Sequence, residues 1–188
     1  MGKILSFFLG GLGRQVKRFH RRRDGVAAIE FALVGPIYLT LLLAMVEAGF
    51  LLIRTALLDD ATSQAAKFIY IGEAGSGEVE PEEIVTFVCD KVGAFVGECE
   101  ENISLEATPV SNFTDLPDTD AQCQDNASEE DFEVPLFNTG SANSIMFLRI
   151  CVTTDIIMPG LGFGLQMTQT DTGRYQLISS TAFVNEPF

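Results

Sequence analysis

From Phe31 to Ile53 the chain runs for 23 residues with a single charge, Glu47. As a helix this run extends roughly 34 Å at 1.5 Å per residue, enough to cross a bilayer core of about 30 Å. A cleaved signal peptide is the obvious rival, but its apolar run is usually about 7–15 residues. No small-x-small site closes the run here. The helical pattern instead continues through Leu57, Leu58, Ala61, Ala65 and Ala66, predicting one helix from Val26 to about Tyr70 that stops at Gly72. Pro36, after Gly35, removes one helix hydrogen bond and can kink the helix, which a membrane or a helical bundle tolerates.

Charge is divided sharply around this helix. Residues 1–24 hold Lys3, Arg14, Lys17, Arg18, Arg21, Arg22 and Arg23 against Asp24 alone. The rest is strongly acidic, and the whole chain carries a net charge of −14. The basic cluster directly before the apolar run predicts a cytoplasmic N-terminus, with residues beyond about 54 on the far side. Nucleic acid is not an expected partner, since the basic segment offers no folded face and the remainder would repel phosphate.

Glu30 and Glu47 are unusual in such a run, because a carboxylate inside a span is costly unless paired or near an interface. Glu30 lies four residues after the Gly25–Val26 junction. The text RRRDG|VAAIEFALV resembles a type IV prepilin processing site: a basic leader ending in glycine, then a start with Glu fifth and an aromatic, Phe31, sixth. Within that superfamily the chain resembles the TadE-like pseudopilins of tight adherence (Flp) pilus systems. The opening GVAAIEFALV, the continuation ATSQAAKFIYIGEA and the terminal TAFVNEPF carry the resemblance.

The resemblance implies that a membrane-embedded prepilin peptidase cuts after Gly25. The new amine at Val26 would then be positioned by Glu30 or paired with the Glu30 of a neighbouring subunit. Physically, a cation beside a carboxylate in low dielectric offsets the burial of both charges. The leader opens on an apolar stretch, ILSFFLGGLG, read either as an interfacial helix or as a cytoplasmic tail loosened by Gly10, Gly11 and Gly13.

Beyond the helix, Gly72–Gly77 reads as a loop. Pro81–Val96 has helical spacing with Pro81, Glu82 and Glu83 suited to a first turn. Asn102–Val110, Ser144–Thr154 and Arg174–Val184 have the composition of strands. The expected fold is α+β, as in pilins: a long N-terminal transmembrane helix packed by its C-terminal half on a small antiparallel-sheet outer domain with an extra helix. The expected organisation is a leader at residues 1–25, a transmembrane or assembly helix at 26–53, its continuation at 54–72 and a periplasmic domain at 73–188.

Cys89, Cys99, Cys123 and Cys151 all lie in the acidic part, an even set that suggests disulfides in an oxidising compartment. Four cysteines allow three pairings. Cys89 with Cys99 and Cys123 with Cys151 is the preferred one. No C-x-x-C pair argues for zinc. The window from Asp118 to Glu129 has carboxylates at calcium-loop positions but Cys123 where such a loop needs glycine, so it reads as a solvated acidic loop.

An enzyme is disfavoured. The one histidine, His20, lies in the leader, so the processed chain would lack the usual general base. The run Gly160–Gly164 (GLGFG) has no G-K-[ST] ending and reads as a turn or a close-packing segment. No cofactor, metal or small-molecule substrate is expected. The expected partners are the inner membrane, the prepilin peptidase, other pilins and the pilus assembly machinery. In the membrane helix, Gly35, Ala44, Ala48 and Gly49 would allow close helix approach. The expected location is the bacterial inner membrane, single-pass, with a periplasmic C-terminal domain. Competing readings are an uncleaved bitopic envelope protein that binds a partner through its acidic domain, and a secreted protein released by signal peptidase.

Overall fold

A computed structural model describes residues 25–70, 80–112, 114, 116, 121, 123–128, 132, 135–160, 164, 167 and 169–185. Residues 1–24 of the leader, the Gly72–Gly77 loop and residues 118–120, 122 and 129 of the acidic window lie outside the described residues, as do residues 161–163 of the glycine-rich run and the last three residues of the chain. The elements in chain order are α1 (Val26–Tyr70), α2 (Pro81–Val96), a 3₁₀ turn (Cys99–Glu101), β1 (Ile103–Val110), β2 (Ile145–Thr154) and β3 (Tyr175–Val184). This is the expected α+β arrangement, with helices first and strands after. By its packing the chain divides into residues 1–43 and 44–188, so the dividing point falls inside α1.

In the first unit, the described part of α1 turns almost all its apolar side chains outward. Ile29, Phe31 and Leu33 are each at least 70 % exposed. Gly35 alone is buried there, beneath the Phe31 ring, whose Cζ would lie 3.3 Å from a Cβ at that position. The helix passes through Pro36, and the Thr40 hydroxyl donates to the Pro36 carbonyl at 2.8 Å.

In the second unit the sheet order is β1-β2-β3, antiparallel throughout. One sheet face presents Ile103, Leu105 and Ala107 of β1, Leu148, Ile150 and Val152 of β2, and Tyr175 and Leu177 of β3 to the core. These positions alternate along each strand, as pleating requires. The helical side is supplied by Leu58, Ala61, Ala65 and Ile69 of α1 and by Ile84, Val88, Val92 and Val96 of α2. The first set recurs at three- and four-residue intervals and the second at four, one face of a helix in each case. Small residues at 61, 65 and 66 bring α1 close to its neighbours. The Ser179 hydroxyl on β3 donates to Asp59 of α1 at 2.6 Å.

The central strand β2 is buried along nearly its whole length, so its second face is covered too. There Arg149 pairs with its cross-strand neighbour Glu106 at 2.6 Å. A disulfide ties Cys151 of β2 to Cys123, with Cα atoms 5.3 Å apart. A second disulfide joins Cys89 of α2 to Cys99, with Cα atoms 5.6 Å apart. The turn between them needs left-handed backbone at Gly97 (φ 67°) and Glu98 (φ 41°). Glycine takes such a conformation without steric cost, whereas glutamate does not.

Candidate functional site

Three sets of polar side chains stand out, one in the first unit and two in the second. The first lies at the start of α1. Gly25 forms the turn before the helix, and its carbonyl accepts a hydrogen bond from the Ile29 amide at 3.1 Å. The peptide bond between Gly25 and Val26 therefore sits at the first helical turn. Val26 is half exposed, Phe31 is 72 % exposed, and Glu30 is exposed. No hydrogen bond or ion pair joins Glu30 to another described residue. A carboxylate one turn into an apolar, outward-facing helix is open to a cation brought by another molecule, or to a new amine at Val26. A helix N-terminus has a positive dipole end, which favours Glu30 and disfavours an amine there without such a counter-charge.

The second set lies in the other unit and joins α1 to the segment after β2. Glu47 is 4 % exposed, and its Oε1 accepts from the backbone amides of Ile157 (3.1 Å) and Met158 (3.3 Å). Its Oε2 is buried with no hydrogen-bond partner. Two turns further on, Arg54 donates from Nε to the Phe95 carbonyl at 2.6 Å. From Nη1 it donates to the Asp155 carbonyl at 3.2 Å and to the Tyr175 hydroxyl at 2.6 Å. Its guanidinium also lies 5.7 Å from the centre of the Tyr175 ring. Residues seven apart share a helix face, so Glu47 and Arg54 extend the stripe that continues as Leu58, Ala61 and Ala65. One side chain of each sign thus grips the backbone of residues 155–158. Burial pushes the Tyr175 phenol above its ordinary value, and the Glu47 charge adds to this, while Arg54 opposes it.

A third polar cluster closes the sheet end. Arg174 donates from Nη1 to Asn102 (2.7 Å), Asp125 (3.0 Å) and Asn126 (3.1 Å). Its Nε lies 3.0 Å from an Asp155 carboxylate oxygen without the alignment of a hydrogen bond. Burial alone would raise the Asp125 carboxyl. The Thr172 hydroxyl, the Ala127 amide and the Arg174 charge outweigh it and hold the group below its ordinary value of 3.8.

The structure places Gly25, Val26, Glu30 and Phe31 together on one exposed turn and a half. The four cysteines lie elsewhere, in the two bonds already described. Arg54, Tyr175 and the 155–158 backbone are absent from the sequence reading. The only signal was an opposite charge seven residues after Glu47, at the edge of the apolar run.

α1 is long and apolar enough to cross a membrane and lies near the N-terminus, which fits a single-pass membrane protein. No curated protein and no solved structure matches the chain. A family model does match: residues 25–67 fit the one described as TadE-like protein, so the likeness carried by the opening motif is found over the stretch from the Gly25 turn through most of α1.

Proposed function

We propose that this chain is a pilin-like structural subunit of a tight adherence pilus system, processed by a prepilin peptidase and devoid of catalytic activity of its own. The observation that carries this reading is the coincidence of three features within six residues. The TadE-like match begins at residue 25, the helix begins at Val26, and the first carboxylate of the helix lies one turn later. Cleavage after Gly25 would leave a free amine at the helix start, within reach of Glu30 or of the Glu30 of a neighbouring subunit. The outward apolar face of α1 from Val26 onward would hold the protein in the inner membrane, and later pack against other pilin helices as the machine assembles a fibre or its priming complex. At Gly49 a Cβ would meet nothing within 4 Å, so a second helix could approach closely there. The domain beyond the helix would face the periplasm, where both disulfides are stable.

N-terminal mass analysis of protein from the native host tests the reading. A mature start at Val26 supports it. An intact Met1 or a start beyond Ala44 contradicts it, the first in favour of an uncleaved bitopic protein and the second in favour of a secreted one. Gly25→Asp should block maturation. Glu30→Ala should leave cleavage in place and reduce recovery of the protein with sheared pili. Normal recovery would remove the charge-pairing role.

A further inference from the structure

β1 is an edge strand, with β2 on one side only. In an antiparallel pair, alternate residues turn their backbone groups toward the partner strand and the residues between them turn theirs away. The Thr153 amide of β2 donates to the Asn102 carbonyl at 2.9 Å, so Asn102 and every second residue after it face β2. Ile103, Leu105, Ala107 and Pro109 therefore point their backbone groups outward. Ala107 confirms this phase. Its amide donates to the Leu136 carbonyl at 3.1 Å, and its carbonyl accepts from the Asn138 amide at 2.8 Å. Pro109 has no N–H to offer. Ile103 and Leu105 remain, and neither has an outward backbone hydrogen bond to a described residue.

Both residues line a cleft of about 420 Å³, together with Glu82 and Val85 of α2, Glu100 of the 3₁₀ turn, and Phe132. The Ile103 and Leu105 side chains belong to the core, so what they offer the cleft is backbone. The volume suits a few residues of peptide and not a folded domain. No basic residue lines the cleft. Glu82 and Glu100 are exposed there and make no ion pair with a described residue.

We propose that this cleft is a peptide-binding site, which takes an extended, basic segment of another protein as a short added strand against Ile103 and Leu105. An unpaired strand edge is satisfied by another extended backbone, and the guest's alternate side chains then read the surfaces beside it. Apolar side chains of the guest meet Val85 and Phe132, and basic ones meet Glu82 and Glu100. Charge decides the guest. A second copy brings a net charge of −14 toward two carboxylates, whereas a basic segment is attracted to them. The site lies within the second unit and does not depend on processing at Gly25.

The test titrates full-length protein in neutral detergent into a dye-labelled, end-blocked pentapeptide, Val-Lys-Val-Lys-Val, with binding read by fluorescence anisotropy. No binding by the unaltered protein up to about 1 mM overturns the site outright. Glu82→Lys combined with Glu100→Lys should weaken binding about ten-fold and shift preference to the acidic peptide Val-Glu-Val-Glu-Val, a gain that also shows the variant is folded. Asp90→Lys combined with Asp171→Lys makes the same charge change at exposed positions outside the cleft and should alter binding by less than about two-fold. Equal weakening by the two pairs overturns the site in favour of diffuse attraction to an acidic surface. Backbone pairing is read on the unaltered protein with two further peptides, N-methylated either on the valines or on the lysines. Only alternate amides of an added strand face β1, so one peptide should keep its affinity and the other lose about ten-fold. Equal affinities of the two methylated peptides overturn strand addition. Self-association of the protein that the lysine peptide displaces assigns the cleft to a second copy and overturns the basic guest.

Discussion

The two halves of α1 belong to one continuous helix, yet they are built for different surroundings. Up to Leu43 the helix keeps its large side chains outward. From Glu47 onward it has a buried stripe that includes Glu47 and Thr62, and beside it Arg54 and Asp59 also have polar partners. The polar residues mark the difference, because Glu47, Arg54 and Asp59 each reach a backbone or hydroxyl group that only a folded neighbour can supply. A helix whose apolar face lies against protein needs shape and specific polar pairing. One whose apolar face lies against lipid needs only apolar surface.

This contrast can be broken or sharpened by experiment, the largest effects first. Leu58→Ala empties a fully packed position and should cost about 2–5 kcal/mol of outer-domain stability, whereas Leu41→Ala, on the exposed half, should stay within about 0.5 kcal/mol. Denaturant unfolding in mild detergent measures both. Equal costs would show that the two halves are packed alike. Replacing Cys123 and Cys151 together by serine opens a closed loop with a sequence separation of 28 and should cost about 3–4 kcal/mol by loop entropy. The Cys89–Cys99 bond, with a separation of 10, should cost less, about 2.5 kcal/mol.

Arg54→Ala leaves the Phe95 and Asp155 carbonyls and the Tyr175 hydroxyl without their donor and should cost about 2–3 kcal/mol. Hydrogen exchange at residues 155–158 should rise with it. Unchanged exchange there would remove the grip from the account. The smallest effect concerns acid. Because the Asp125 carboxyl is held below 3.8 in the fold, its contribution is complete above that value and is lost as pH falls through the lowered folded value. Asp125→Asn should flatten that acid limb of the stability–pH curve, read by thermal unfolding at a series of pH values. A limb that stays as steep would assign the acid sensitivity to another carboxylate.

How much of this was legible in the sequence follows the range of each interaction. Pro81–Val96 was readable as a helix because its apolar period, its first-turn proline and its acids all agree locally. The β2 strand was readable from its β-branched and aromatic run. The start of α1 was readable because Gly25, Glu30 and Phe31 fall within one short motif. The grip on residues 155–158 was not, since backbone amides carry no residue identity and the partners are more than a hundred positions apart. The Arg174 cluster escaped for a related reason. It gathers Asn102, Asp125 and Asn126 from distant stretches, and each alone reads as an ordinary polar residue of a strand end or loop.

The way Glu47 holds its partners also shapes what can change during descent. It accepts its hydrogen bonds from two backbone amides, so nearly any residue at positions 157 and 158 supplies them, and only proline withholds one. Mutational drift in that stretch can therefore retune the side chains it offers to its surroundings while the domain remains fastened to the helix. Attachment and outward chemistry become separately adjustable, so relatives with quite different residues there could keep the same anchoring.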